Sequence, residues 1–175
     1  MGRKEKAQAV RWRFFEQTLS IEHLREHLDH LTDFEGFERE QKALDVAAAH
    51  EAAELALDFF IAWPNLERAD RLVRDRLKSL DGADYPTLRP AAEALEEKYP
   101  AAAVRLYRRM IESVLGRGSS KQYPYAAEDV LSCARLAPRL SDATMIETHA
   151  MFVARLRKAH GRKYGFWGLI DQKGR

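Results

Sequence analysis

Pro100-Ala101-Ala102-Ala103-Val104-Arg105-Leu106-Tyr107-Arg108-Arg109-Met110-Ile111-Glu112-Ser113-Val114-Leu115-Gly116-Arg117-Gly118 is the stretch that decides the fold class. Val104, Tyr107, Ile111, Val114 and Leu115 recur at steps of three and four, the period that lines one face of an α-helix and not the alternation of a strand. Pro100 has no N–H to leave unsatisfied and a φ already suited to a first turn, while Gly116 or Gly118 closes the helix. The aromatic-proline break Tyr99-Pro100 repeats Trp63-Pro64, 36 residues earlier, a spacing of the kind that helix-pair repeats produce.

Toward the N-terminus the same punctuation predicts six more helices. One runs from Pro86 or Thr87 to Tyr99, with Pro90 close enough to its start to be tolerated. Another starts with Pro64 as its first residue, turns Leu66, Ala69, Leu72, Val73 and Leu77 inward, and stops at Asp81-Gly82. A helix over Glu51 to Trp63 is apolar on nearly every side through Leu55, Leu57, Phe59, Phe60 and Ile61, which places it in an interior. Thr32 and Glu35 have capping-box spacing and open a helix through Phe37, Leu44 and Ala48; Ser20 caps one with Ile21, Leu24, Leu28 and Leu31 inward. The first covers Lys4 to Leu19.

Toward the C-terminus, a helix over Pro124 to Leu136 stops at Pro138 and one over Ala143 to His160 stops at Gly161. Lys163 to Ile170 reads as one further short turn, because Gly165 and Gly168 each disfavour a longer helix. The fold class is therefore all-α: an antiparallel helix-pair array of the TPR-like or α-solenoid kind, or an irregular bundle, of about eight to ten helices. The chain shows no residue-by-residue match to a tetratricopeptide consensus.

Composition agrees. At 175 residues and 46% hydrophobic content the chain fills one core, and residues 1–175 are read as a single helical domain. Nine glycines and six prolines are few, and Ala, Leu, Glu and Arg dominate, which favours helices over sheet. Cys133, alone, can form neither an internal disulfide nor a thiolate zinc site, and a reducing cytoplasm fits it. The N-terminal Met1-Gly2-Arg3-Lys4-Glu5-Lys6 has no apolar run behind it, and Phe59 to Trp63 is far too short to cross a bilayer, so no membrane role is expected. Residues 1–87 carry 13 Lys and Arg against 18 Asp and Glu, whereas residues 88–175 carry 16 against 9. That asymmetry can steer head-to-tail contacts, or draw an anionic partner to the C-terminal half.

One family resemblance follows from particular residues. Pro90-Ala91-Ala92-Glu93-Ala94-Leu95, Tyr99-Pro100-Ala101-Ala102, Leu106-Tyr107-Arg108, Tyr125-Ala126-Ala127, and His160-Gly161-Arg162-Lys163 with Phe166-Trp167 resemble the C-terminal part of a bacterial family of domains of unknown function, DUF6880. The likeness spans most of the chain and is most specific from Tyr85 to Ile170. That family is similar to the helical region accompanying SWIM-type zinc fingers, but the Cys-x-Cys and Cys-x-His ligands are missing here, so no zinc role carries over. The resemblance implies a helical-repeat fold and relatives that extend further upstream.

Four constellations have both a chemical and a structural reading. His23, Glu26 and His27 have the order of an inverted zinc-protease motif, and His30 adds a third imidazole on one helical face; the plainer reading is a histidine-flanked amphipathic helix. Gly116-Arg117-Gly118-Ser119-Ser120-Lys121 lacks Walker spacing and follows a helix, so it reads as a glycine cap and a serine start, with Arg117 and Lys121 left as an anion candidate. Arg155, Arg157, Lys158, Arg162 and Lys163, interleaved with Tyr164, Phe166 and Trp167, suit nucleic acid; they equally suit a basic helix end and a capping segment over residues 161–175. Cys133, among Val130, Ala134 and Ala137, reads as a small buried hydrophobe.

Val10, Trp12, Phe14, Phe15 and Leu19 cover too wide an arc of the first helix for one neighbour. Residues 1–19 are therefore expected to be the edge of a longer solenoid or a homodimer interface. The function expected is a non-enzymatic helical-repeat module that binds another protein. A nucleic-acid-binding module is the alternative and a metal-dependent hydrolase the third reading; no catalytic residue or cofactor is expected.

Overall fold

The computed structural model describes residues 2–141 and 147–173, and every regular element among them is helical. It divides into two compact units, residues 1–72 and 73–175. The first holds α1 (Arg3–Thr18), α2 (Ile21–Leu28), α3 (Asp33–Ala49), α4 (Ala53–Ala62) and the start of α5 (Leu66–Arg76). The second holds the rest of α5, then α6 (Tyr85–Leu95), α7 (Pro100–Arg117), α8 (Tyr123–Leu136), α9 (His149–His160) and α10 (Tyr164–Lys173).

In the first unit, local chemistry sets the helix ends. Leu19 ends α1 in the left-handed conformation, φ 49°, with its N–H donating to the Phe15 carbonyl. A β-carbon makes that conformation cost about 1 kcal/mol or more. Burial of the Leu19 side chain, 4% exposed, offsets it. Ser20 then accepts from the His23 N–H to start α2, and Thr32 with Glu35 forms the reciprocal cap that starts α3. The core is Phe15, Leu24, Leu57, Phe59 and Phe60, with Phe15 and Phe59 meeting edge to face at 5.5 Å. Alanines 43, 47 and 56, wholly buried, let α3 and α4 approach closely. Pro64 is not the first residue of α5: it sits in the turn, and the Asn65 side chain accepts from the Arg68 N–H two residues inside the helix. An N-cap oxygen satisfies a free donor, which a proline at that point cannot do.

In the second unit α7 is the centre, with ten buried residues from Ala102 to Leu115, and α6 and α8 both pack on it. Tyr99-Pro100 opens it and Gly118, at φ 68°, closes it by donating to the Leu115 and Val114 carbonyls. The turn before α6 lies hard against α7: a β-carbon on Gly82 would collide with the Arg109 carbonyl and stand 2.8 Å from Ser113 Cβ. Thr148 caps α9 by accepting from the Met151 N–H, so the helix starts at His149; residues 142–146, into which the sequence pattern extends it, lie outside the described residues.

The short terminal turn expected over Lys163 to Ile170 is instead a ten-residue helix, α10, packed on α8. Two glycines cost a helix about 2 kcal/mol, but burying Phe166 (0% exposed) and Trp167 (5%) contributes roughly 1.5–3 kcal/mol each, and packing wins.

Candidate interaction surfaces

Three of the clefts that the described residues form lie on the second unit, and their electrostatics differ. The first, about 480 Å³, is walled by Arg105, Arg108, Arg109 and Glu112 of α7, at one-face spacing, with Glu147 and Met151 opposite. Its glutamates are held by Arg155, outside the lining, and two of its arginines by backbone carbonyls. Arg155 donates to both Glu147 oxygens, at 2.8 and 3.0 Å, and to Glu112 at 2.8 Å. Arg109 donates to the Leu80 carbonyl at 2.9 Å. Arg108, 8% exposed, lies over the Phe152 ring at 4.5 Å and donates to the Glu147 carbonyl at 3.0 Å. Its Nε and Nη2 are buried without an acceptor, and burial pulls its pKa down.

The second cleft, about 520 Å³, is bordered by Tyr85, Pro86 and Arg89 of α6 and by Tyr125 and Glu128 of α8. Behind it Asp129 is wholly buried. Its Oδ2 accepts from the Tyr85 hydroxyl at 3.1 Å; Arg89 Nη2 stands 3.5 Å from Oδ1, which has no hydrogen bond. Burial, only partly opposed by Arg89 and the Tyr85 hydroxyl, pushes the Asp129 carboxyl up to about 6. The same burial, with Asp129 beside it, raises the Tyr85 phenol. Because Oδ1 is closed off from solvent, the trio ties α6 to α8 and offers no oxygen to a bound substrate.

The third cleft, about 580 Å³, has a different character. Arg162, Lys163, Tyr164, Gly165 and Leu169 form one side, and Ser120, Tyr123 and Pro124 the other. No carboxylate lines it, and among the described residues neither Arg162 nor Lys163 has an acidic partner. Tyr164 is 79% exposed at its rim.

The basic residues singled out in the sequence therefore separate. Arg155 is held by its two glutamates; Arg157 lies over Trp167 at 4.3 Å and pairs with Asp171 at 3.5 Å; Arg117 donates to Ser113. Lys121, Lys158 and Arg162 remain exposed cations. The capping reading of Trp167 has a concrete form, since its indole N–H donates to the His160 carbonyl at 3.0 Å.

The four residues of the zinc-protease pattern have separate surroundings. His27 is buried with its ring 5.3 Å from that of Trp12, and neither ring nitrogen has a partner. His23 stacks on Phe14, Glu26 pairs with Arg11 at 3.2 Å, and His30 is exposed. Among the described residues no three His, Cys, Asp or Glu side chains are placed to hold a metal. Cys133 is buried, and burial pushes its thiol up to about 12, which keeps it protonated and unreactive at neutral pH.

Along α1, Trp12, Phe15 and Leu19 are spent inside the first unit, while Val10 (52% exposed) and Phe14 (48%) stay half open. The residues the sequence pattern hid are Phe34 and Phe37 at the start of α3, 72% and 62% exposed. Asp33 and Glu38 share their helical face, at spacings of four from Phe37 and Phe34. The missed signal was local: two phenylalanines within the first five residues of a helix that opens on Asp33 and Glu35, where a core-facing stripe has no reason to begin.

An all-helical protein with two compact helical units and surface clefts, and no assembled metal or nucleophile centre among the described residues, is what the geometry defines. Over residues 1–169 the chain matches the family described as a family of unknown function, DUF6880, and it belongs to that family. No curated protein and no solved structure matches it. No helix among the described residues is long and apolar enough to cross a membrane.

Proposed function

We propose that the chain is a non-enzymatic protein-interaction module, a helical-repeat scaffold that works in the cytoplasm and docks a partner protein through the start of α3. One observation carries this reading: Phe34 and Phe37 stand 72% and 62% exposed, side by side on one helical face between Asp33 and Glu38. Leaving a phenylalanine in water forfeits roughly 1.5–3 kcal/mol of burial, so a pair of them is a cost to the isolated chain and a gain to a complex. Aromatic side chains ringed by polar groups are also what dominates binding energy at protein interfaces.

Nucleic-acid binding is the second reading, favoured by the cleft that Arg162 and Lys163 form with the exposed ring of Tyr164, and by the exposed cations Lys121 and Lys158. The first is tested by placing a photo-cross-linking phenylalanine analogue at position 34 in living cells, and the second by placing it at position 164. Protein adducts that disappear when Phe37 is also replaced by lysine are expected. Adducts to nucleic acid alone, or none above the level of a probe at exposed Glu51, would overturn the protein-docking reading.

A further inference from the structure

Two surfaces described above have complementary chemistry, and they belong to different units. Residues 1–72 carry 10 Lys and Arg against 15 Asp and Glu, and residues 73–175 carry 19 against 12. The acidic unit presents Phe34 and Phe37 on a face shared with Asp33 and Glu38. Glu35 is committed to the cap, where its carboxylate accepts from Thr32, but neither Asp33 nor Glu38 makes an ion pair among the described residues. The basic unit presents the cleft between α8 and α10, where Arg162 and Lys163 stand without a carboxylate over an apolar floor of Tyr123, Pro124 and Leu169. Its volume, about 580 Å³, lies inside the roughly 300–1,000 Å³ range that takes a compact side-chain cluster or small ligand. The other two clefts are unsuited to an acidic guest, because Glu112 and Glu147 stand in one and Glu128 in the other.

We infer that the α8–α10 cleft is a docking site for the acidic, phenylalanine-bearing start of α3 from a second copy of this chain. The inference rests on the reading of that face as a protein-docking surface and names its partner. Phe34 and Phe37 enter over Tyr123, Pro124 and Leu169, and Asp33 and Glu38 meet Arg162 and Lys163 at the rim. Such a contact is heterologous: each copy offers one face and receives another, so association proceeds head to tail and either closes a ring or extends. Two carboxylates meeting two cations, all four without an ion pair among the described residues, also make encounter faster and salt-sensitive.

Sedimentation velocity with two complementary blocked variants tests this. Phe34→Lys/Phe37→Lys removes the guest face, and Arg162→Glu/Tyr164→Glu reverses the receiving cleft; Phe34, Phe37 and Tyr164 are more than 60% exposed and Arg162 is exposed without an acidic partner among the described residues, and circular dichroism with the thermal midpoint checks folding of both. The wild-type chain should self-associate with a dissociation constant of about 1–100 µM, weakening at least about tenfold between low and high salt. Each blocked variant alone should weaken association at least about tenfold, and an equimolar mixture should restore a 1:1 heterodimer that grows no further, because one intact guest face and one intact cleft remain. A wild-type chain that stays monomeric overturns the inference; if the position-34 probe still labels another protein, the docking reading survives without it. Self-association unchanged in both variants, or a mixture that forms no heterodimer, likewise overturns it. So does loss of single-strand oligonucleotide binding in Arg162→Glu/Tyr164→Glu with self-association intact, which would give the cleft to nucleic acid.

Discussion

Replacing Asp129 with asparagine should make the protein more stable at neutral pH, and the gain should vanish in acid. Asp129 is wholly buried; one oxygen accepts from Tyr85, and the other has only Arg89 Nη2, 3.5 Å away. Its carboxyl titrates near pH 6 in the fold, against 3.8 when free. The raised pKa means that the folded state holds this proton more tightly than the unfolded state does. The associated stability is therefore complete below pH 3.8 and is lost as pH rises through about 6. At about 1.36 kcal/mol per pH unit over that interval, the ionised form costs the fold about 3 kcal/mol at pH 8. Asparagine has the shape of the protonated acid, keeps an acceptor for the Tyr85 hydroxyl, and leaves Arg89 with Glu93 and Glu128. Urea denaturation of both proteins between pH 4 and 8 should give matching stabilities near pH 4 and an advantage for Asp129→Asn of up to about 3 kcal/mol at pH 8. An asparagine variant less stable than wild type at pH 8, or a difference that does not change with pH, would refute the reasoning: Asp129 would then be a stabilising half of an ion pair with Arg89, and not a carboxyl held against its solvation.

Two further outcomes follow from buried contacts. His27 is buried with both nitrogens unpartnered; burial, then the cations of Arg39 and Arg11 and the neighbouring His30, lower its pKa, so its contribution is intact above pH 6.5 and falls as pH drops below that value. His27→Phe, whose ring fits against Trp12, should therefore flatten the acid limb of thermal stability below pH 6.5, and an unchanged limb would assign acid sensitivity to another group. Gly82→Ala drives a methyl into the Arg109 carbonyl, a backbone atom that cannot swing away, and should destabilise the protein by about 1–3 kcal/mol in denaturant titration; a neutral effect would mean the 80–84 turn shifts freely off α7.

Several features of this chain are fixed within three or four residues of themselves, and these were legible. Ser20 accepting from His23, Thr32 exchanging hydrogen bonds with Glu35, and Pro100 and Gly118 bounding α7 each depend on a short-range bond or a single backbone angle. The all-helical class follows from the same local rules added over many turns. The family resemblance read from Tyr85 to Ile170 also rested on strings of neighbouring residues, and the match extends over residues 1–169.

What pairs with what required the third dimension. Pattern alone put Trp12, Phe15 and Leu19 on one face of α1 and Val10 and Phe14 on another, but only α2 and α3 packing onto the first face decided which is buried. Gly165 and Gly168 argue locally against a helix, and α10 forms because Phe166 and Trp167 find the α8 surface. Asp129 looks like any helical carboxylate in sequence; its proton affinity comes from being enclosed between α6 and α8, with Tyr85 44 residues away in the chain. The division between Leu72 and Val73 falls inside α5, where no glycine or proline marks it. Most helix ends answer to bonds between near neighbours, which a sequence states, whereas burial answers to surfaces brought together from distant parts of the chain, and so most of the helices were written in the sequence while α10, the exposure of Phe34 and Phe37 and the cations of the α8–α10 cleft were decided only by packing.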